Sequence, residues 1–271
     1  SRFPRSRMSE FRIAVIVGIL QGIFEWLPIS SEGNIALYLT AVEGLSPAAA
    51  TDFALFLHAG TAVSAAVYYR GELAALARRL PAWRATGDRE LSFLALATVA
   101  SGVVGLAAYA TIEELFSALT GGAFIVLVGL LLVATGLFQR VANARLGART
   151  EPTLIDGLLV GVLQGLAILP GVSRSGSTVS ALLLRGYDPE ASFRLSFLLS
   201  IPAALGAGVL TLTDGVPELS LVAGVVATAV AAVVGYLTID ALLRVVSRVA
   251  FWAVCLGLGG LAIVGGVATV L

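Results

Sequence analysis

Lysine is absent from the 271 residues, so all seventeen basic side chains are arginine, and seventeen acidic residues bring the formal net charge to zero. That balance argues against electrostatic capture of nucleic acid. Cysteine occurs once, as Cys255 in a late apolar run, which excludes a disulfide framework and a cysteine-built metal site and leaves packing as its role. Walker loops, His-Glu-x-x-His pairs and dinucleotide fingerprints are all missing. The single histidine, His58, sits in Leu57-His58-Ala59-Gly60 within another apolar run. A general base or a ligand can be made of it, but we read it as a polar group lining a cavity or bonded between helices.

Charge is scarce overall, at 13% of positions, while apolar residues make up 58%. A soluble domain carries about a quarter and about half respectively, so the excess needs a lipid environment. Six runs approach the ~20 residues that cross a hydrocarbon core: Phe53 to Tyr69, Leu91 to Tyr109, Gly121 to Phe138, Ala191 to Leu210, Leu219 to Ile239 and Phe251 to Leu271. Two more, Phe11 to Leu27 and Leu154 to Leu169, each run into a proline and a Ser/Gly-rich segment. Irregular backbone at membrane depth is tolerated only where protein buries it or where it lines a polar cavity, so these two read as re-entrant. The start, with Arg2, Arg5 and Arg7 ahead of an apolar run, has the look of a secretory signal. It lacks a small-residue cleavage site and ends in Glu25-Trp26-Leu27-Pro28, a pattern nearly copied inside the chain, so it reads as mature structure.

The copy is an internal repeat. A shift of 143 positions lays Gly18-Ile19-Leu20-Gln21-Gly22 on Gly161-Val162-Leu163-Gln164-Gly165, and Ser30-Ser31-Glu32-Gly33 on Ser173-Arg174-Ser175-Gly176. Residues 1–150 then form a first repeat, a re-entrant hairpin over 11–42 plus three spans. Residues 151–271 form a second, a hairpin over 154–186 plus three spans, and the two make one membrane domain. Three crossings per half turn the second half upside down, which makes an all-α membrane protein with an inverted-topology repeat: six transmembrane helices and two re-entrant helix hairpins, with the broken helices meeting near the midplane to form the site. Loop charge agrees. Arg70, Arg78, Arg79, Arg84 and Arg89, then Arg140, Arg145 and Arg149, then Arg244 and Arg248 fall on one side, and Glu113, Glu114, Asp214 and Glu218 on the other. The arginine side is cytoplasmic by the positive-inside rule, although the N-terminal arginines fall outside.

Chemistry concentrates at the two interruptions. Gln21 and Glu25, four apart, share a helix face, and an ionisable group this deep is a functional candidate, with an interfacial Glu facing water as the plain alternative. Ser30-Ser31-Glu32-Gly33-Asn34 precedes a helix-like stretch whose free N–H groups suit phosphate, or simply an ordinary Ser cap. In Pro170-Gly171-Val172-Ser173-Arg174-Ser175-Gly176-Ser177-Thr178, Arg174 offers a planar fork of donors for phosphate oxygens; its alternative role is a structural ion pair with Glu25. Glu25 and Glu32 belong to the first repeat only and Arg174 to the second. A phosphoryl group between them would meet a nucleophile, a base and a charge clamp. Gly257-Leu258-Gly259-Gly260 reads as close helix packing.

With these two motifs, Gln21 through Gly33 and Leu169 through Thr178, the chain resembles the undecaprenyl-diphosphate phosphatase, or bacitracin-resistance protein, family over nearly its whole length. The resemblance implies a membrane phosphatase that hydrolyses undecaprenyl (C55) or another polyprenyl diphosphate to the monophosphate and phosphate in carrier-lipid recycling, in the cell membrane, with its site open to the extracytoplasmic face. It implies Glu25 as functional acid, Ser31 as nucleophile, and Ser173, Arg174 and Thr178 as the phosphate-binding loop; our reading of the two motifs makes Arg174 a catalytic clamp and adds Gln21, Ser30, Glu32, Asn34, Ser175 and Ser177 around the substrate. It also implies Mg²⁺ or Ca²⁺, with Glu25 as a metal ligand. The chain departs from the family at Gln21, usually Glu, at Glu32, usually Thr, and at Asn34, usually His. Without that His, Ser31 attacks with Glu25 or Glu32 as base, and a metal is bridged mainly by the diphosphate. The alternative is a polyprenyl-phosphate transporter using the same pocket, and a weaker one a protein that only sequesters the lipid. The partners are the lipid and the bilayer; a homodimer is left open.

Overall fold

The computed structural model describes residues 7–145, 147–213, 220–246 and 248–270. Arg2, Arg5, Asp214, Glu218 and the outer ends of the last two expected spans, Leu219 and Leu271, lie outside the described residues, as do the side chains of Arg7, Glu113 and Glu114. Among the described residues there is no strand, only one isolated bridge between Arg149 and Tyr187.

The chain opens with α1 (Arg7–Phe24), α2 (Ser31–Ala41) and α3 (Pro47–Tyr68), followed by the short α4 (Arg70–Arg79), a 3-10 turn at Leu80–Ala82 and α5 (Trp83–Thr86). Then come α6 (Arg89–Ala118), α7 (Gly121–Asn143), α8 (Leu154–Leu166), α9 (Arg174–Leu184), α10 (Pro189–Thr213), α11 (Leu221–Val246) and α12 (Phe251–Val270). Six of these, α3, α6, α7, α10, α11 and α12, are long and apolar enough to cross a membrane. Their starts are written in capping residues. Ser46 with Pro47 behind it starts α3, Asp88 starts α6, Thr120 starts α7, and Thr153 with Asp156 forms a capping box on α8. The Asp88 carboxyl also pairs with Arg79 at 2.7 Å. Partial desolvation pushes it up, but the Leu91 N–H and the guanidinium outweigh this and hold it below its ordinary value.

Both short helix pairs turn back on themselves. Arg12, early in α1, lies 4.0 Å from Glu43, just past the end of α2. Asp156, at the mouth of α8, is bonded at 2.6 Å to both Arg185 and Tyr187, just past the end of α9, and at 3.0 Å to Arg149. Each pair therefore starts and finishes at one end of the bundle. Ion pairs from Arg194 to Glu72 (2.6 Å) and Glu90 (2.5 Å), and from Arg89 to Glu151 (3.1 Å), tie α4, α6, α10 and the approach to α8 together at the arginine-rich end. Packing exchanges the halves: α1 lies on α11, and α8 on α6. The glycine-rich close of the sequence does serve helix packing. A Cβ on Gly259 of α12 would come within 2.6 Å of the Gly129 carbonyl oxygen of α7, so only glycines permit this approach.

Candidate active site

The turn after α1, residues 25–30, and the turn before α9, residues 167–173, meet head to head inside the bundle. Ser30 makes the joint. Its φ of 60° is the one positive value of a non-glycine among the described residues, and its hydroxyl oxygen accepts from the N–H of Gly33 (3.2 Å) and of Gly171 (3.0 Å). One side chain thereby caps its own helix and pins the opposite tip, enough to offset the cost of a left-handed serine. Gly171 has φ 103°, and a Cβ there would fall 2.6 Å from the Val128 carbonyl oxygen; a Cβ on Gly33 would fall 2.5 Å from the Gly171 nitrogen. Neither position has room for a side chain. From α7, Thr135 donates to the Gly171 carbonyl (3.1 Å) and Gln139 to the Pro28 carbonyl (2.6 Å), so one helix holds both turns.

Around this joint Glu25 is buried and bonded on both oxygens. Its Oε1 takes Arg174 Nη2 at 2.5 Å, and its Oε2 takes the Ser31 hydroxyl at 2.9 Å and Gln21 Nε2 at 3.1 Å, with His58 Nε2 at 3.4 Å. A carboxylate saturated by donors repays its desolvation only in such a setting. Arg174 also reaches the Ser196 carbonyl (3.5 Å) and lies 5.7 Å from the centre of the Phe197 ring. Glu25, Ser30, Ser31, Glu32, His58, Ser173, Arg174 and Ser175 line one polar chamber. A cavity of about 280 Å³ continues from it past Ser101, Gly102 and Gly105 of α6, Gly165 of α8 and Ala203, Gly206 and Ala207 of α10.

Four of the residues expected at the substrate, Gln21, Asn34, Ser177 and Thr178, stand behind this wall. Gln21 orients Glu25 and also reaches Thr61 (3.3 Å). The Asn34 amide donates to the carbonyls of Ile29 (2.7 Å) and Ser30 (2.9 Å), fixing the turn. Thr178 is 2.6 Å from the Ser196 hydroxyl, and Ser177 is buried in α9. Ser173 caps α9 by accepting from Gly176 at 3.1 Å, and Ser175 reaches the Leu27 carbonyl at 3.5 Å. The sequence reading missed Thr135 and Gln139; a polar pair four apart, one inside and one just past the apolar Gly121–Phe138 run, was the available signal. Among the described residues Glu32 Oε1 and Gln164 Oε1, on the cavity lining, are buried without a partner, as expected of a chamber that holds water or a polar guest; Gln21 Oε1, behind the wall, is buried without a partner as well.

A resident divalent cation does not fit this donor set. Among the described residues no group of three His, Cys, Asp or Glu side chains can hold one, and both Glu25 oxygens are occupied by donors.

Six helices able to cross a membrane, folded around a polar chamber of acid, hydroxyl and guanidinium, define the class: a multi-pass helical membrane protein. The chain belongs to the bacitracin resistance protein BacA family, whose model matches residues 14–261. It is 57% identical over 267 residues to a protein of Haloarcula marismortui named undecaprenyl-diphosphatase, covering 96% of this chain and 98% of that one. Proteins of the same name from Methanopyrus kandleri (39% identical, 95% and 96% covered) and Methanococcoides burtonii (38%, 92% and 96%) are similar along nearly their full lengths.

Proposed function

We propose that the protein is an undecaprenyl-diphosphatase, a hydrolase that removes the terminal phosphate of a polyprenyl diphosphate and returns the carrier lipid as its monophosphate. The observation that carries this reading is the contact of Glu25 with both the Ser31 hydroxyl and the Arg174 guanidinium, one group from each turn, in a single buried chamber. In this reading Ser31 attacks the terminal phosphorus while Glu25 Oε2 takes its proton, and Arg174, with the N–H groups opening α9, holds the phosphate oxygens. Mg²⁺ or Ca²⁺ enters as counter-ion of the diphosphate.

The same reading includes the topology. Helices α2 and α9 begin at 31 and 174 and end at 41 and 184, an offset of 143 at both ends. With the exchanged α1–α11 and α8–α6 pairings, this supports two inverted repeats, residues 1–150 and 151–271, whose hairpins are re-entrant from opposite leaflets. The arginine-rich end is then cytoplasmic and the chamber serves the extracytoplasmic face of the cell membrane.

Purified protein supplied with undecaprenyl diphosphate should release inorganic phosphate. Movement of lipid phosphate across vesicles without any release would replace the phosphatase by a transporter. The apolar extension of the cavity is the path of the first isoprene units. A Cβ on Gly206, which lines the path, meets nothing within 4 Å, so Gly206→Leu adds bulk there with no backbone conflict at its Cβ. It is expected to raise KM for the C55 diphosphate by about tenfold, with little change for a C5 diphosphate, in steady-state phosphate release.

A further inference from the structure

Pro28 stands three residues ahead of α2 and Gly171 three residues ahead of α9, so the shift of 143 positions makes their carbonyls equivalent. Both are held from the same helix. The Pro28 oxygen accepts from Gln139 Nε2 at 2.6 Å and the Gly171 oxygen from the Thr135 hydroxyl at 3.1 Å, and the two donors, four apart, share one face of α7. From the second half comes the Cys255 thiol of α12, a weak donor 3.3 Å from the Pro28 oxygen. Thr135 also accepts from the Ser173 N–H at 3.4 Å, which braces the peptide immediately ahead of Arg174. Gln139 reaches the start of α9 as well: a Cβ on Gly176 would fall 2.5 Å from its Nε2, so the glycine leaves it room. Both side chains are buried, and neither lines the chamber.

We propose that Thr135 and Gln139 are positioning residues of the reaction, which set the register between the two turns and through it the place of Arg174 relative to Glu25 and Ser31. This rests on the phosphatase reading. Glu25 and Ser31 flank one turn and bond each other directly at 2.9 Å, so their contact does not depend on the other half. Arg174 arrives from the opposite turn. Three connections join the turns: the Ser30 bond to Gly171 (3.0 Å), the Arg174–Glu25 pair (2.5 Å) and the two donors of α7. A phosphate that takes the donors of Arg174 draws them away from Glu25, and the ion pair then no longer fixes the register. The bonds from α7 lie outside the chamber and persist with substrate bound, when the guanidinium has to be in place.

Full-length protein in lipid nanodiscs, assayed for phosphate release from undecaprenyl diphosphate, tests this with Thr135→Val and Gln139→Met, which keep the shape of each side chain and remove its donor. Each should lower kcat by about 10- to 10²-fold, the loss expected when a reacting group is misplaced by about 1 Å. Thr135→Ser, which restores donor and acceptor, should recover most of the rate. On an Arg174→Lys background, where the guanidinium fork is already gone, either change should cost no more than about twofold further, the scatter of such double-mutant cycles. A purely structural role predicts the same fold loss on both backgrounds, in step with a lower thermal midpoint, and that result overturns the proposal. So does a parent-like kcat in both Thr135→Val and Gln139→Met. Either variant completes the cycle, so if one does not fold the other decides. A parent protein that releases no phosphate overturns the phosphatase reading, and this role with it.

Discussion

Replacing Ser31 with alanine is expected to reduce phosphate release by about 10³-fold or more, the scale seen when the attacking hydroxyl of a nucleophilic enzyme is deleted, while the thermal midpoint stays within a few degrees of the parent. The two halves of this expectation come from the same contact. The Ser31 hydroxyl donates to Glu25 Oε2 at 2.9 Å, which orients its lone pairs away from the carboxylate and toward the chamber it lines. When the hydroxyl is removed, Glu25 still has Arg174, Gln21 and His58 around it, so no buried charge is stranded. A net hydrogen bond is worth only about 1 kcal/mol. Phosphate release measured alongside thermal unfolding separates a lost nucleophile from a damaged fold. A variant that keeps most of its rate would mean that water attacks directly, with Glu25 as its base.

The spans were legible because hydropathy over ~20 residues is a local quantity, and each of the six expected runs overlaps a helix able to cross a membrane over most of its described length. Their ends were less so. Asp52 breaks the apolar run, which moved the expected start of the first span to Phe53, whereas the helix begins at Pro47 behind its Ser46 cap. Arg70 to Thr86 showed no periodic apolar face long enough to flag, yet α4 and α5 form there, with Leu76 buried against its neighbours. At the site, Glu25 and Arg174 stood out in the hairpin motifs because ionisable groups are odd in lipid, whereas Ser31 as nucleophile came from the family resemblance. What the motifs did not carry was the division of labour among the hydroxyls. Ser30 reads as one more phosphate ligand until its oxygen is seen to accept the Gly171 N–H, 141 positions away. His58 is similar: its contact with Glu25 depends on how α3 crosses the first turn, which no spacing within either segment encodes. Asn34 stands where the family usually has His, yet an imidazole does line the chamber, from α3.

Arg174→Ala should cost about 10²- to 10³-fold in phosphate release, the usual loss for removing one preorganised donor from a developing phosphoryl charge, and here the fold should suffer too. Glu25 would lose its 2.5 Å partner while remaining buried, and a buried pair broken on one side costs about 3 to 5 kcal/mol. That double loss leaves an ambiguity, since a structural ion pair would also fail. The double variant Glu25→Gln, Arg174→Gln resolves it. With neither charge left to strand, and two amides of similar reach able to bond each other, thermal stability should return toward that of the parent, because replacing a buried pair by neutral groups is often close to neutral. Activity should not return, since the guanidinium fork and the carboxylate base are both gone. Arg174→Lys adds the remaining distinction: it keeps the charge, and with it most of the pairing to Glu25, but has no planar fork to span two phosphate oxygens. Stability near that of the parent combined with a low rate in this variant would assign the arginine to the phosphate; stability and rate both near those of the parent would assign it to the fold.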